Sequence, residues 1–427
     1  MLDIAPIHRK EYEIDCGRTR GGRVSGKIPA KTKGKTPVKQ VSAGNSRKNS
    51  AGNQAGQAAE TVTIAQAPGR IHFLGEHGDL FAGLYLSAAI DRWIKVAVSG
   101  RKDSSLRFFS ADLNERKRTT LANLKYKRED RWANYIKTAI HVFAELGLPV
   151  KGLNFTITGN IPQQIGLASS SAIEVASAVA LKGFLRVKMS DQELVKRLSA
   201  SHLAFFGGNP NAADFIAGLS ARNDQLLIID EANLTAAKIK SPFSRCKIIL
   251  ADSRVPRLGI SAELASRKED LKAGLNMLSQ GREGANFREF AAMDLMDSMG
   301  NLPEEIRRRS LHVVQEIRRV IDAGDCLLRA DVLGFSRLIF SSHESLRDLY
   351  EVSCPEIDWM VKRAQEIPGA LGSRMTGQGF GGCTYTIIKN EAASEYRERL
   401  EDYERIFGFC PGIYEVKLAT GSKVVPR

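Results

Sequence analysis

The sequence predicts a protein of two domains that combine strands and helices, and three observations bear on this prediction. Its 427 residues are enough for two domains of ordinary size. Short segments in which apolar and polar residues alternate are interspersed with longer segments that carry apolar residues at helical spacing. No apolar run approaches the roughly 20 residues needed to span a bilayer, so we expect a protein without membrane partners.

The composition indicates what kind of globular protein this is and where it is located. Hydrophobic residues make up 43% and charged residues 26% of the chain, as in ordinary globular proteins. The six cysteines include no CxxC pair, so the sequence suggests neither a zinc site nor a disulfide framework. Acidic, basic and isolated apolar residues are mixed at the N-terminus, which does not resemble a secretory signal. We therefore expect a cytoplasmic protein, with a monomer as the default.

Residues 1–60 form a candidate basic extension. The first 50 residues contain 12 Lys and Arg against 4 Asp and Glu, so much of the net charge of +14 lies there. Because the segment has almost nothing to bury, we expect it to be disordered. It could bind polyanions non-specifically, but a solvated extension is the simpler interpretation, and we expect no nucleic-acid partner.

Order is expected from about residue 61. A strand over 61–65 is followed by a Pro68-Gly69 turn and a short strand, and residues 84–98 read as strand, turn and strand. We predict further strands over 153–158, 226–229, 247–250, 384–388 and 414–418. We predict helices over about 132–146, 191–205, 261–279, 286–299, 304–323, 330–349, 355–367 and 391–405.

The serine loop, residues 161–171, connects the strand over 153–158 to an apolar helix. It contains a Pro, a Gly and three consecutive serines. A small-residue loop at a helix start presents unpaired N–H groups to an anion, and the serine hydroxyls could reach a phosphate or a bound Mg²⁺. The alternative is an ordinary serine N-cap on a core helix.

Three further segments are candidates for a functional site. Glu76, His77 and Asp79 lie beside two glycines, and such a cluster could bind metal, transfer protons, hydrogen-bond a polyol or simply form a polar turn. Asp214 lies where a loop enters a helix and could be only a helix cap. The C-terminal glycine motif, residues 377–383, has four glycines around Phe380, which indicates close backbone approach.

These motifs, in this order, resemble those of the GHMP kinase superfamily and, within it, the galactokinases. The resemblance covers about residues 62–422 and includes Trp132-x-Asn134-Tyr135 and the long segment 342–356. It implies an α+β fold of two domains, a ribosomal-S5-like N-terminal α/β domain over residues 61–245 and a ferredoxin-like C-terminal α+β domain over residues 246–427. The active site would lie in the cleft between them.

The resemblance also implies an activity and a set of residue roles. The activity would be ATP-dependent phosphorylation of a monosaccharide, galactose or a close analogue, at its anomeric hydroxyl, with Mg²⁺. Asp214 would accept the hydroxyl proton or orient the hydroxyl, and Arg70 would stabilise charge. The implied sugar contacts are Glu76, His77, Asp79 and Asn211. The implied ATP contacts are Gly166, Leu167, Ser169, Ser170, Ser171 and Ala172, with Ser170 also facing the metal. The implied cleft wall consists of Gly377, Gly379, Gly381 and Gly382.

Several positions depart from the family pattern. Ala204 stands where a metal-assisting Glu is usual, and Leu264 stands where a sugar-contacting Tyr is usual. Asn211 replaces a Gly beside the catalytic position. These departures leave two alternatives open: an anomeric kinase for a uronic acid or a pentose, or a non-catalytic paralogue that binds sugar and ATP as a sensor.

Overall fold

Groups of strands and groups of helices follow one another along the chain in this computed structural model, which describes residues 62–78, 83–148, 151–208, 210–257, 259–297 and 301–426. The predicted basic extension, residues 1–60, lies outside the described residues. The strands are β1 Val62–Leu74, β2 Leu84–Gly100, β3 Ser105–Ser110, β4 Glu115–Thr120, β5 Leu153–Gly159, β6 Gln225–Asp230, β7 Thr235–Lys240, β8 Cys246–Asp252, β9 Ala370–Thr376, β10 Cys383–Lys389, β11 Gly412–Val416 and β12 Lys423–Val425. The α-helices are α1 Ala133–Glu145, α2 Ser169–Phe184, α3 Asp191–Phe206, α4 Ala212–Ser220, α5 Ile260–Leu278, α6 Ala292–Asp297, α7 Glu304–Leu328, α8 Val332–Asp348, α9 Pro355–Gln365 and α10 Ala393–Phe407.

In the described part of the chain, the strands form an eight-stranded sheet and a four-stranded sheet. The larger sheet has the order β12-β1-β2-β5-β3-β4, with β6 paired to β2 and β7 paired to β6. The smaller sheet has the order β11-β8-β10-β9. The predicted α+β class is therefore confirmed, and the last strand of the chain returns to pair with β1.

The core of the larger sheet is covered by α2, which packs on β1 and β2, and α1 packs in turn on α2. Ala172, Ala176 and Ala180 recur every four residues on α2 and are buried. Small side chains on one helical face let the helix approach the sheet closely. This close packing fixes the N-terminus of α2, and with it the end of the serine loop, against the strands.

The smaller sheet shows how the period of two in a strand divides a core. Ile248 and Leu250 of β8 belong to the main hydrophobic core, whereas Ile249 and Ala251 pack in a separate cluster with residues of α9 and α10. Successive side chains of a strand point to opposite faces, so both faces of this sheet are covered. The loop between β9 and β10, which carries the C-terminal glycine motif, is held by this buried sheet.

The two predicted turns in the first strands are wrong. β1 runs through Pro68 and Gly69 with a local shift of register, and β2 is continuous over 17 residues. In the middle of β2, Asp91 accepts from the Lys417 amide at 3.0 Å and Arg92 donates to the Glu415 carbonyl at 2.7 Å, so both residues bond the C-terminal segment.

The predicted helix over 286–299 is also wrong as a single element. Asn286 and Glu289 form a capping box around a short 3₁₀ turn, Phe287–Glu289, and Phe290 then adopts an extended conformation. The helix α6 begins only at Ala292, and residues 298–300 lie outside the described ranges.

Candidate active site

Asp214 lies in the first turn of α4, at a helix start that is bonded from two sides. The Asn211 side chain caps the helix by accepting a hydrogen bond from the Ala213 amide at 2.9 Å. Glu231, which follows β6, accepts from the Ala212 amide at 2.8 Å. Because both bonds act on the first turn, the backbone of Asp214 is held firmly relative to the larger sheet.

The Asp214 carboxylate is bonded by side chains from β1 and α2. Arg70 Nε donates to Oδ1 at 2.6 Å, and His72 Nε2 lies 3.0 Å from the same oxygen. Ser171 Oγ donates to Oδ2 at 3.0 Å. The structure thus brings together Arg70, Asp214 and one serine of the serine loop, and adds His72, which motif reasoning did not single out.

These contacts control the charge of Asp214. Burial acts to raise the pKa of Asp214, but the Arg70 charge and the His72 hydrogen bond outweigh it and hold the pKa well below its usual range. Burial and the charge of Arg70 lower the pKa of His72, against the opposing effect of Asp214. At neutral pH the site therefore contains an ionised Asp214, a cationic Arg70 and a neutral His72.

The serine loop wraps closely around β1. The Arg70 amide donates to the Leu167 carbonyl at 3.2 Å, and Arg70 Nη1 donates to the Gly166 carbonyl at 2.5 Å. A Cβ atom on Gly69 would lie 3.0 Å from the Leu167 carbonyl oxygen. The Pro68-Gly69 pair therefore marks a close approach of the serine loop to the strand rather than a turn.

The serine loop also meets the C-terminal glycine motif through glycine backbones. Gly166 has φ +92° and Gly377 has φ +83°, a region that favours glycine. A Cβ atom on Gly166 would lie 2.7 Å from the Thr376 carbonyl oxygen, and one on Gly377 would lie 2.7 Å from the Gly166 Cα atom. Two motifs that are more than 200 residues apart in sequence therefore touch without side chains between them.

The remaining serine-loop positions lie at the start of α2. Ala168 adopts a left-handed conformation and precedes the helix, and its carbonyl accepts from the Ala172 amide at 2.9 Å. Ser169 Oγ lies 3.4 Å from Gln163 Oε1, and Ser170 lies beside the Tyr135 hydroxyl. Ser169, Ser170 and Ser171 thus face three different neighbours.

Glu76 is buried and bonded to the residues around β9. Its carboxylate accepts from Arg374 Nη1 at 2.6 Å, from Thr376 Oγ1 at 3.2 Å and from the Gly377 amide. These bonds connect Glu76, in the segment after β1, to the C-terminal glycine motif. A sugar contact for Glu76 stays a prediction, and its oxygens are engaged by protein groups in this structure.

The neighbouring predicted sugar contacts lie at the edge of the described residues. His77 has φ +71°, and its ring packs against the Tyr350 ring with 4.5 Å between centroids. Asp79 lies outside the described residues. Tyr350 belongs to the long segment 342–356. This segment of the C-terminal half therefore packs against His77, the residue after Glu76.

The remaining residues of the predicted wall lie in the loop between β9 and β10. Phe380 lies between Gly379 and Gly381, and its amide donates a hydrogen bond to the Val352 carbonyl. The Gly382 carbonyl accepts a hydrogen bond from the Ser253 amide at 2.8 Å. Beside this loop, Arg257 Nη1 donates to the Gln164 carbonyl at 3.1 Å. Arg257 is thus a further cation next to the serine loop, and no sequence motif had indicated it.

Two of the departures from the family pattern, Ala204 and Leu264, lie on helices. Ala204 is exposed on α3, and Leu264 is half-buried in the first turns of α5. Neither position supplies a polar side-chain atom to its surroundings.

Comparison with known proteins places these features in a family. Three family models match the chain: the galactokinase galactose-binding signature over residues 53–100, the GHMP kinase N-terminal domain over 134–221 and the GHMP kinase C-terminal domain over 325–404. The first contains Arg70 and Glu76, and the second contains the serine loop and Asp214.

Individual relatives match over most of their length. A Treponema pallidum protein, provisionally assigned as a galactokinase, is 37% identical over 86% of this chain and 93% of its own length. The galactokinase of Roseiflexus sp. is 32% identical over 84% of this chain and 92% of its own.

A solved structure gives the same result. Lactococcus lactis galactokinase complexed with galactose superimposes with a TM-score of 0.80 and 25% identity, over 85% of this chain and 95% of that one. Methanococcus jannaschii mevalonate kinase has a TM-score of 0.58 at 18% identity, over 86% of this chain and 100% of that one, and shares the fold. The chain therefore belongs to the galactokinase family of the GHMP kinases.

Proposed function

We propose that this protein transfers the γ-phosphoryl group of ATP to the anomeric hydroxyl of galactose, which gives galactose 1-phosphate and ADP. The observation that carries the proposal is the contact of Asp214 with both Arg70 and Ser171 at the N-terminus of α2. A carboxylate, a guanidinium and a phosphate-binding helix start are the groups that phosphoryl transfer to an alcohol needs.

The charge of Asp214 defines its role in the step. The sugar oxygen forms a bond to the γ-phosphorus as the bond to the leaving ADP oxygen breaks, and the hydroxyl proton passes to Asp214. Because its pKa is held low, Asp214 is a weak base. We infer that it first orients the hydroxyl and accepts the proton late, when the attacking oxygen has become acidic.

The serine loop would bind the ATP phosphates. The first backbone N–H groups of α2 have no partner within the helix, and the helix dipole favours an anion there. We assign these contacts to Gly166, Leu167, Ser169, Ser170, Ser171 and Ala172. Arg70, which bonds Asp214 and the Gly166 carbonyl, lies where it would also stabilise the charge of the transferring group.

The residues present fit a Mg²⁺ ion that is held largely by ATP. Within the described ranges, no group of three or more His, Cys, Asp or Glu side chains could hold a metal. Mg²⁺ in kinases usually takes one or two protein oxygens together with substrate phosphates and water. The Ser170 hydroxyl at the start of α2 is such an oxygen, and the ion would supply neutralisation of the phosphate charge.

The proposed sugar contacts are Glu76, His77, Asp79 and Asn211.

A panel of sugars tests the proposed substrate. ADP release with Mg·ATP would be measured against galactose, glucose, galacturonic acid and arabinose. We expect the highest kcat/KM with galactose. A preference for the uronic acid or the pentose would contradict galactose as substrate. ATP or sugar binding without sugar-dependent turnover would contradict the kinase and favour a sensor.

The cellular setting follows from the same proposal. In the described part of the chain, Cys246, Cys326, Cys354 and Cys383 form no disulfide, as is usual in a reducing compartment that supplies ATP. Within those same ranges, no helix combines the length and apolar character needed to cross a membrane. We propose a cytoplasmic monomer with an N-terminal domain over residues 61–245 and a C-terminal domain over residues 246–427.

A further inference from the structure

His72 is a fully buried histidine that contacts the proposed catalytic carboxylate from inside the protein. Its Nε2 atom lies 3.0 Å from Asp214 Oδ1, and its Nδ1 atom hydrogen-bonds Ser87 Oγ. Its side chain has 0% exposure, so it has no surface that could meet a substrate. Any contribution that it makes to catalysis must act through Asp214.

Strand pairing fixes the ring of His72 in place. His72 of β1 and Ser87 of β2 are directly opposite each other in the antiparallel pair. The Tyr85 ring packs beside the imidazole with 4.8 Å between centroids, and Tyr85 Oη donates to Glu231, the residue that holds the start of α4. The ring is thus held on one nitrogen and on one face by β2.

The hydrogen bonds allow one tautomer. An ionised Asp214 can only accept, so His72 Nε2 must carry the hydrogen. A neutral imidazole then has an acceptor at Nδ1, and Ser87 Oγ must donate to it. Burial and the neighbouring Arg70 both favour the neutral ring. This arrangement satisfies both ring nitrogens.

We propose that His72 is a positioning residue for phosphoryl transfer: oriented by Ser87, it donates one hydrogen bond to Asp214 Oδ1 and fixes the carboxylate in its productive orientation. Arg70 shares Oδ1, and Ser171 of the serine loop bonds Oδ2. Oδ1 is thereby anchored from the sheet, while Oδ2 faces the serine loop. The proposal rests on the proposed role of Asp214.

The first test is the substitution His72→Phe, which keeps an aromatic ring at this position but removes the N–H donor to Asp214. Loss of one hydrogen bond to a charged group should lower kcat by about tenfold to a hundredfold, with the KM for ATP changed by less than about twofold. The acid limb of kcat should move to higher pH, because Asp214 loses a bond that favours its anion. His72→Gln, whose amide can donate, should restore part of kcat.

Ile71→Val is the matched control, since Ile71 is the buried neighbour on β1 and its side chain has no polar atom that could bond Asp214. It should leave kcat and its pH profile unchanged. Two outcomes would overturn the proposal: kcat within about twofold of wild type for His72→Phe, or a loss that is equal at all pH values and in proportion to unfolded protein.

The second test does not depend on turnover, so it separates this proposal from the proposed function. The ¹⁵N resonances of His72, assigned by their loss in His72→Gln, should show the Nε2–H tautomer and no titration between about pH 5.5 and 8. A hydrogen on Nδ1, or titration near the ordinary histidine pKa, would overturn the proposal even in a fully active enzyme. Should the wild-type protein phosphorylate no sugar, the proposed function fails, and the tautomer still decides whether His72 positions Asp214.

Discussion

Replacing Asp214 by Asn should lower kcat by about 10²- to 10⁴-fold, the usual contribution of a proton-accepting side chain. Asn keeps the shape of the side chain, but it cannot accept the hydroxyl proton as an anion does. It also leaves the cationic Arg70 without its carboxylate partner at 2.6 Å. The KM values should change less than kcat, because the serine loop and the sugar contacts remain. Steady-state kinetics with galactose and Mg·ATP provide the measurement.

Asp103→Asn is a suitable control for this experiment. Asp103 forms a two-bond ion pair with Arg101 at 2.7 Å for each bond, but the pair lies on the exposed β2–β3 connection. Its loss should leave kcat unchanged. An Asp214→Asn protein that keeps more than about one third of wild-type kcat would contradict the assignment of Asp214.

The pH dependence of the wild-type enzyme follows from the same contacts. The pKa of Asp214 is held below its usual range in the folded protein. Its ionised form therefore stabilises the fold above the unfolded aspartate pKa of about 3.9, and this contribution is lost as pH falls toward the folded pKa. Because the low pKa also keeps the carboxylate ionised throughout this range, kcat should show no acid limb from Asp214 between about pH 5 and 8.

Replacing Arg374 by Leu should destabilise the protein by about 3–5 kcal/mol, the cost of breaking a buried ion pair from one side. Arg374 is fully buried and donates to Glu76 at 2.6 Å and to Ser342 Oγ at 2.8 Å. Its Nη2 atom also lies 3.3 Å from Glu316. Leu would leave Glu76 buried without its cation, and Leu cannot bridge the segment after β1, α7 and α8.

In the same variant, Glu316 would lose one of the two positive charges that stabilise its buried carboxylate. Burial acts to raise its pKa, but Arg319 and Arg374 hold the pKa well below the usual glutamate range. The ionised form therefore adds stability above the unfolded glutamate pKa, and this stability disappears as pH falls. The destabilisation by Arg374→Leu should accordingly be larger at pH 7 than near pH 4.

Denaturant unfolding measures this effect, with Arg397→Leu as the control. Arg397 forms an ion pair with Glu415 at 3.1 Å, but both side chains are more than one-third exposed. Such pairs contribute about 0–1 kcal/mol. If Arg374→Leu lowered the free energy of unfolding no more than the control does, the buried ionic contacts of Arg374 would not be what joins the segment after β1 to the C-terminal half.

The sequence predicts local features of the site well because each motif folds as a unit. The serine loop enters a helix, and Asp214 lies at a helix start, as alternation and helical spacing indicate. The amphipathic helices α3 and α9 begin where their patterns do. The resemblance to galactokinases, carried by motif order, is confirmed by family models and relatives.

The remaining features depend on long-range pairing that local patterns do not contain. The contact of His72 with Ser87 requires the register of β1 against β2, and that of Glu76 with Arg374 joins residues 298 positions apart. The edge strand β4 carries mostly charged and polar residues, so no apolar pattern indicates it. Gly69 resembles a turn residue until the serine loop is seen against it.

Identification of the reaction product tests the central claim most directly. The protein would be incubated with Mg·ATP and galactose, with methyl galactoside as the control, and the products followed by ³¹P NMR. We predict one galactose 1-phosphate for each ADP formed, and no product from the methyl galactoside, which lacks a free anomeric hydroxyl. Phosphate on any other hydroxyl, or turnover of the methyl galactoside, would contradict the account.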